Sequence, residues 1–437
     1  SKLRFAFLTT FYPPYNFGGD GIGIQRLARG LVRDGHDVTV IHDADAYNAL
    51  RQGDEPVPTP DPVGVEVVPL KSGLGALSPF LTQQLGRPVV NGPAIEKLLA
   101  DGRFDVVNFH NVSLVGGPGL FKYGTGIKLY MAHEHWLVCP SHVLWRHGKE
   151  LCTGRQCISC QLSYRRPPQW WRMTGLLERE SRHIDAFIAM SEFSRQKHRE
   201  FGFKPPMEVV PYFLEEEESA SAAAATDSPH GRPYFLFVGR LEKIKGLDDV
   251  LPLFRGELGP DLVIAGDGEY GDSLRAAAGG SPRVHFLGRV PVEHLKRYYQ
   301  HATALIVPSV CFETFGIILI EAFRQGTPVI ARRLGPFPEL IEKSGAGLLF
   351  STANELTDAI DRMVGDATLV ARCAAAGREA FAAHWSERVV VPKYLDVVRR
   401  VARRKELTGV LGRLGPEPSV PLTAVDGLQL LANGSPS

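Results

Sequence analysis

The sequence predicts an α/β protein of two domains in tandem, each a parallel sheet covered by helices. Three observations carry that expectation. Residues 2–10 form a mostly apolar strand that breaks into a glycine-rich loop ending at Gly23, and Ile24, Leu27, Ala28 and Leu31 then recur on one helical face. Gly35 stops the helix and a β-branched strand follows at 37–42, which makes a βαβ unit and implies parallel pairing. A second series of the same kind begins after a composition break near Pro211. The chain is also long enough for two large cores: its 437 residues are 44% hydrophobic and 22% charged, which excludes wholesale disorder.

In the first domain, 1–210, further buried strands are expected at 104–109, 128–132 and 186–190. The stretch 211–231 reads as a linker, because four consecutive glutamates from Glu215 run into a Ser/Ala tract. The second domain, 232–385, shows strands at 234–238, 261–265, 284–287, 304–307 and 328–331 with helical segments between most of them. Residues 386–404 carry Tyr394, Val397, Val398 and Val401 at helical spacing. The tail 405–437 has no clear period and receives no assignment.

Charge narrows the function. Lys plus Arg is 49 and Asp plus Glu is 48, a formal net charge of +1, so no global basic field exists to attract nucleic acid. No run reaches the roughly 18 apolar residues that span a bilayer, and no signal peptide is recognisable, so a cytoplasmic protein is expected.

Three motifs carry chemistry. Glycines at 18–23 follow a strand and open a helix, where backbone amides and the helix end suit a phosphate, although a tight turn is an equally common reason for such a loop. Arg240 and Lys245, in Gly239-Arg240-Leu241-Glu242-Lys243-Ile244-Lys245-Gly246, sit just beyond a strand and suit a diphosphate; the bland alternative is a solvated basic loop. Glu313-Thr314-Phe315-Gly316 precedes an apolar helix bearing Glu321, which would put a helix N-terminus between two carboxylates able to accept sugar hydroxyls.

Gly18-Gly19, Gly35-His36, Gly239-Arg240 with Lys245-Gly246, and Glu313-Thr314-Phe315-Gly316 with Glu321 occur in one order over roughly residues 3 to 400. In this the chain resembles the retaining, nucleotide-sugar-dependent glycosyltransferases of the GT-B fold, family-four (group 1) type. The resemblance implies two Rossmann-like domains facing across a cleft, with the helix at 386–404 crossing back onto the first. It also implies transfer of a sugar from a nucleotide-diphosphate sugar, a UDP-sugar before a GDP-sugar, to an acceptor hydroxyl or other nucleophile.

Residue by residue, Gly18 and Gly19 would approach the donor phosphates, and Arg240 and Lys245 would neutralise the departing diphosphate. Glu313 would bind hydroxyls of the transferred sugar, Phe315 and Gly316 would offer amides, and Glu321 would hold the ribose. His133, in Tyr130-Met131-Ala132-His133-Glu134-His135-Trp136, matches the family's cleft histidine near the reacting carbon, while Asp20 and His110 fall on the acceptor side. No cofactor and no catalytic Mg²⁺ are required, and no side-chain nucleophile is assigned. One departure stands out: where many members carry a Pro-Asn-Gly turn, this chain has Pro211-Tyr212-Phe213-Leu214 and then the acidic insert. The acceptor stays open among a saccharide, a lipid-linked saccharide and a small molecule. The competing readings are a sugar-nucleotide epimerase, a phosphorylase-like enzyme, and a non-catalytic sugar-nucleotide-binding scaffold of the same fold.

Four of the six cysteines, Cys139, Cys152, Cys157 and Cys160, share one short segment. The Cys157-x-x-Cys160 pair is a zinc half-site, so a structural zinc competes with packing of reduced thiols. Trp170 and Trp171 among Arg165, Arg166 and Arg172 suit either weak peripheral membrane contact, a stacked acceptor, or closure of a core. Asp43-Ala44-Asp45 is read as an acidic loop rather than a metal chelate.

Overall fold

Short apolar runs buried on both faces form the centres of two parallel sheets in the computed structural model, which describes residues 2–51, 53–58, 60–215 and 227–415. In chain order the strands are β1 (Arg4–Thr9), β2 (Asp37–Asp43), β3 (Glu66–Leu70), β4 (Val106–Phe109), β5 (Ile127–Ala132), a small hairpin β6 (Trp145–Arg146) and β7 (Glu150–Leu151), β8 (Ala186–Ala189), β9 (Met207–Val209), β10 (Tyr234–Val238), β11 (Asp261–Ala265), β12 (Val284–Gly288), β13 (Ala304–Val307), β14 (Val329–Arg332) and β15 (Gly347–Phe350). The first sheet runs β3-β2-β1-β4-β5-β8-β9 and the second β12-β11-β10-β13-β14-β15, every pairing parallel. Residues of β4, β5, β11 and β13 are buried throughout, as a sheet covered on both faces requires.

Both strand orders reverse direction once, between β1 and β4 in the first sheet and between β10 and β13 in the second. In open α/β sheets such a switch point leaves a crevice beyond the carboxyl ends of the strands, where ligands bind. The segments leaving these four strands carry Gly18-Gly19, His110, Gly239-Arg240 and Glu313 respectively. Topology, not local propensity, is what gathers them.

Besides the short hairpin β6–β7, the strands not foreseen, β3, β9 and β15, all lie at sheet edges. Their sequences explain the omission: β3 is Glu66-Val67-Val68-Pro69-Leu70, with a proline tolerated only where a ladder bond is missing, and it is mostly not buried.

The segment 211–215 is not the exposed linker expected from its composition. Tyr212, Phe213 and Leu214 are buried, and Leu214 pairs with Ser386, its N–H donating to the Trp385 carbonyl at 3.0 Å. The acidic and alanine-rich part of the linker, 216–226, lies outside the described residues.

The helix Glu387–Arg404 packs on the first domain, where the Tyr394 hydroxyl accepts from Asn108 Nδ2 at 3.0 Å and Lys405 pairs with Asp185 at 2.9 Å. The start of the tail is also ordered: the helix Thr408–Arg413 follows, and Arg413 reaches Asp105 at 2.5 Å. Residues 416–437 of the tail lie outside the described residues. One apolar interior runs through Phe7, Tyr212, Leu214, Phe315 and Tyr394, so the two domains share a core as well as a cleft. Among the described residues no helix is long and apolar enough to cross a membrane.

Candidate active site

The cleft is built from two helix beginnings. The helix Gly19–Arg33 opens after Gly18 and the helix Ile317–Gln325 after Gly316, and neither start has a side-chain cap. Each therefore leaves backbone N–H groups and the positive end of a helix dipole unspent. The two starts face each other closely: a Cβ at Gly19 would lie 3.6 Å from Ile317 Cδ1. Gly316 has a φ of +102°, a conformation that side chains rarely adopt, which lets the loop turn sharply into its helix.

Beside these ends stand the cations. Lys245 Nζ donates to Glu313 Oε1 at 2.5 Å, and Ser309 Oγ donates to the same oxygen at 3.2 Å. The close approach depends on Gly246, φ +74°, because a Cβ there would collide with the Pro308 carbonyl oxygen. Burial alone would raise the Glu313 carboxyl, but Lys245, the Ser309 hydroxyl and Arg240 hold it below its ordinary value. Burial would lower the Lys245 ammonium, and Glu313 more than reverses this. Both partners stay charged. Arg240 is the more open cation, 59% exposed and paired with Glu242 at 2.8 Å.

Glu321 points to the same face of its helix but is not free. Tyr299 donates to it at 2.9 Å, and Arg26 of the first domain approaches within 3.6 Å. Arg26 was not foreseen. It lies on the helix that opens at Gly19, two turns on and on the same face as Gly19, and nothing in its local sequence marks it.

The loop 312–316 is stitched to the first domain. Thr314 Oγ1 donates to the His133 carbonyl at 2.8 Å, Ser191 Oγ donates to the Thr314 carbonyl at 2.6 Å, and a His135 ring nitrogen lies 3.2 Å from the Phe312 carbonyl. Glu339 adds a further bridge by accepting from the Phe193 backbone at 3.1 Å. These interdomain bonds hold Glu313 against the His133 segment. Ser191 and Glu339 carry no sequence signal, and Thr314, although it stands in the Glu313–Gly316 motif, carries none for this bridge, since each needs its partner from the other domain.

His133 has both ring nitrogens engaged, Nε2 with His110 Nδ1 at 2.8 Å and Nδ1 with the Tyr212 hydroxyl at 2.5 Å. His110 is therefore not on an acceptor wall: it is fully buried behind His133, with its ring edge on Phe7 at 4.6 Å. The apolar strands around the end of β4 leave it no surface, and it acts on the cleft only through His133. Asp20 remains at the cleft, accepting from Asn111 at 3.3 Å and pulling the His133 ring toward protonation against the larger effect of burial. Tyr212, which replaces the expected turn, is the least foreseen member. It bonds His133 and packs edge-on to Phe315, so the buried hinge touches both halves of the site.

Burial holds His133, His110 and His135 below the ordinary imidazole value, and pushes His42 and His198 down to about 4. The folded state keeps these rings neutral while the unfolded chain protonates them near 6.5, so their stabilisation is complete above that value and is lost as pH falls toward 4. Asp43, pushed up to about 7 by burial, and Glu339, also raised by burial, have the opposite sign and gain on acidification, but they are two groups against five. At about 1.4 kcal/mol per pKa unit separating folded and unfolded forms, the expected loss between about pH 7 and about pH 5 is roughly 3 kcal/mol or more, checked by urea midpoints across that range. A flat profile would contradict the neutral assignment of these rings.

The remaining candidates separate. Asp43 is not in a loop: it ends β2 and caps the helix Ala44–Leu50, its Oδ1 accepting from the Ala46 N–H at 2.9 Å, while Asp45 accepts from Ser72. Of the tryptophans, Trp171 is buried with its indole on the Gln83 carbonyl, and Trp170 is exposed. Arg172 lies between Trp136 and Trp171, and burial brings it down to about 10. Cys139, Cys152, Cys157 and Cys160 share one neighbourhood, all as free thiols, and the Cys160 sulfur accepts from the His147 N–H at 3.3 Å.

Two parallel-sheet domains with facing switch points and a cleft of helix ends, cations and carboxylates define a GT-B glycosyltransferase. The chain belongs to the family-four, group 1 type: residues 17–218 match the family described as Glycosyltransferase Family 4, and residues 219–380 that described as Glycosyl transferases group 1. It is 24% identical over 401 residues to an uncharacterised glycosyltransferase of Methanocaldococcus jannaschii, covering 83% of this chain and 90% of that one. It is 31% identical over 183 residues to a GDP-mannose-dependent α-(1-6)-phosphatidylinositol monomannoside mannosyltransferase of Mycobacterium tuberculosis, covering 38% and 48%. Its fold resembles sucrose-phosphate synthase from Thermosynechococcus elongatus, with a TM-score of 0.71 at 18% identity over 92% of this chain and 100% of that one. It also resembles Anabaena HepE in complex with UDP, with a TM-score of 0.62 at 17% identity over 91% and 100%.

Proposed function

We propose that this cleft transfers a sugar from a nucleoside-diphosphate sugar to an acceptor hydroxyl with retention of anomeric configuration. The observation that carries the proposal is the meeting of two uncapped helix starts, at Gly19 and Ile317, next to Arg240 and Lys245. A dianionic leaving group is what such a place favours. As the bond from the anomeric carbon to the phosphate oxygen breaks, negative charge grows on the diphosphate, where amides and cations already point. The acceptor oxygen bonds to the same carbon on the same face, and its proton passes to the departing phosphate oxygen.

Retention is supported by the state of the nearby carboxylates. Glu313 is committed to Lys245 and Ser309, and Asp20 to Asn111, so neither is placed as the free general base that an inverting displacement uses. Glu313 instead fits the role of a hydroxyl acceptor that fixes the sugar, and Glu321 that of a ribose acceptor after exchange with Arg26 or Tyr299. His133, held neutral and oriented by His110 and Tyr212, packs under the reacting position.

UDP-sugars are the first donor class and GDP-sugars the second; UDP is bound by the Anabaena relative and GDP-mannose is used by the mycobacterial one. A pocket of about 310 Å³ lined by Leu137, Ile158, Trp170, Arg172 and Met173 offers the apolar part of an amphiphilic acceptor a seat on the first domain.

The experiment is a thermal-shift screen against UDP, GDP and ADP and their common sugars. A ligand at a hundred times its Kd stabilises by about 2.7 kcal/mol, which is readily visible. One nucleotide is expected to raise the midpoint in the wild type and not in the Arg240→Ala/Lys245→Ala variant. No shift with any of them, with or without acceptor, would overturn the proposal.

A further inference from the structure

Far from the cleft, three side chains converge on one buried oxygen. Asp261 begins β11, His285 is the second residue of β12, and His230 precedes β10. Because the strands are parallel, all three lie at the amino edge of the second sheet, opposite the edge that carries Arg240, Lys245 and Glu313. His230 Nε2 lies 2.7 Å and His285 Nε2 3.0 Å from the same Asp261 oxygen, Oδ2. The two imidazoles meet edge to face with ring centroids 4.6 Å apart, and one ligand atom from each of the three residues lies within 4.8 Å of the others.

The hydrogen bonding is lopsided. Asp261 is 1% exposed, yet its second oxygen, Oδ1, has no hydrogen-bond partner; Arg232 Nε stands 3.5 Å from it, beyond good bonding geometry and at an ion-pair distance only. Two donors crowded onto one carboxylate oxygen, with the other left bare in the interior, is an expensive way to satisfy three polar groups. A divalent cation between the two Nε2 atoms and the carboxylate relieves the crowding on Oδ2, with both rings carrying their proton on Nδ1 and water completing the coordination.

We propose that His230, Asp261 and His285 form a Zn²⁺-binding site of three protein ligands with water in the fourth position. Two imidazoles and one carboxylate match the borderline character of zinc and disfavour Mg²⁺ and Ca²⁺, which require oxygen ligands throughout. The site has a clear mechanical meaning. His230 stands at the point where the chain enters the second domain, so the metal ties that entry to β11 and β12. It touches no group of the cleft, and the glycosyl transfer does not depend on it directly.

The test uses the full chain, stripped with a chelator and titrated with Co²⁺, whose visible bands report ligand type, followed by displacement with Zn²⁺. One equivalent is expected to bind with bands free of thiolate charge transfer, to be displaced by Zn²⁺, and to raise Tm. His230→Ala and His285→Asn are expected to lose that equivalent and the rise, while a Cys157→Ser/Cys160→Ser variant retains both. His285 is 36% exposed, so its replacement leaves the fold intact and provides the clean readout. Unchanged uptake in the histidine variants, or uptake that carries thiolate absorption and disappears only in the cysteine variant, would overturn the proposal.

Discussion

Glu313→Gln is expected to lower kcat by about two to three orders of magnitude, the usual effect of deleting one preorganised electrostatic contact to a transition state. The substitution keeps shape and removes charge. Glu313 accepts from Lys245 at 2.5 Å and from Ser309 at 3.2 Å, so its loss also leaves the ammonium without its counter-charge. The side chains are 21% and 25% exposed, which discounts the cost of a broken buried pair from the full 3–5 kcal/mol to about 2 kcal/mol of stability. Activity and stability should part company in a second variant. Lys245→Met with Glu313→Gln removes both charges, so the midpoint in urea is expected to recover most of the loss while turnover stays down. If the double variant is no more stable than Glu313→Gln alone, the pair is not the coupled unit the geometry describes. If Glu313→Gln turns over normally, Glu313 does not touch the transferred sugar.

Legibility in the sequence followed the range of the interactions. Gly19, Arg240, Lys245, Glu313 and Glu321 each stand beside a strand end or helix start that announces itself locally, by glycine, by an apolar run, or by a charge where none is expected. The two-domain architecture was readable for the same reason, because its central strands are continuous apolar runs. The rest depended on contacts between distant segments. Arg26 reaches Glu321 only because two domains meet, and His230 reaches His285 only because β10, β11 and β12 lie side by side. No periodicity encodes such pairs.

Composition misled where burial ran against it. Tyr212-Phe213-Leu214 borders an acidic, alanine-rich stretch and reads as a connector, yet it is among the most buried parts of the chain. His110 misled differently: it follows a strand end, where acceptor residues are common, but lies behind His133 and not beside the cleft.

The hinge is where the largest structural effect is expected. In an exposed helix interior, replacing glycine by alanine usually gains up to about 1 kcal/mol of helix propensity. At Gly412, in the last turn of the helix Thr408–Arg413 with open space around it, a Gly412→Ala variant should show part of that gain. At Gly23, in the helix Gly19–Arg33, the sign reverses: the added Cβ would fall against the ring of Tyr212. Tyr212 has little room to yield, since its hydroxyl is bonded to His133 and its ring is packed on Phe315. Overpacking of a tight core costs about 1–3 kcal/mol, and a displaced hydroxyl leaves His133 Nδ1 unpaired in the interior at about 1–3 kcal/mol more. Gly23→Ala is therefore expected to destabilise by about 3 kcal/mol and to reduce turnover, because the same movement disturbs His133 and the Phe315 loop together. Tyr212→Phe separates the two contributions, losing the hydrogen bond while keeping the packing, and should cost roughly half as much. Urea midpoints for the three variants decide it: a Gly23→Ala midpoint equal to or above that of the wild type would show that Tyr212 moves freely, and the hinge would then have no hold on the catalytic cleft.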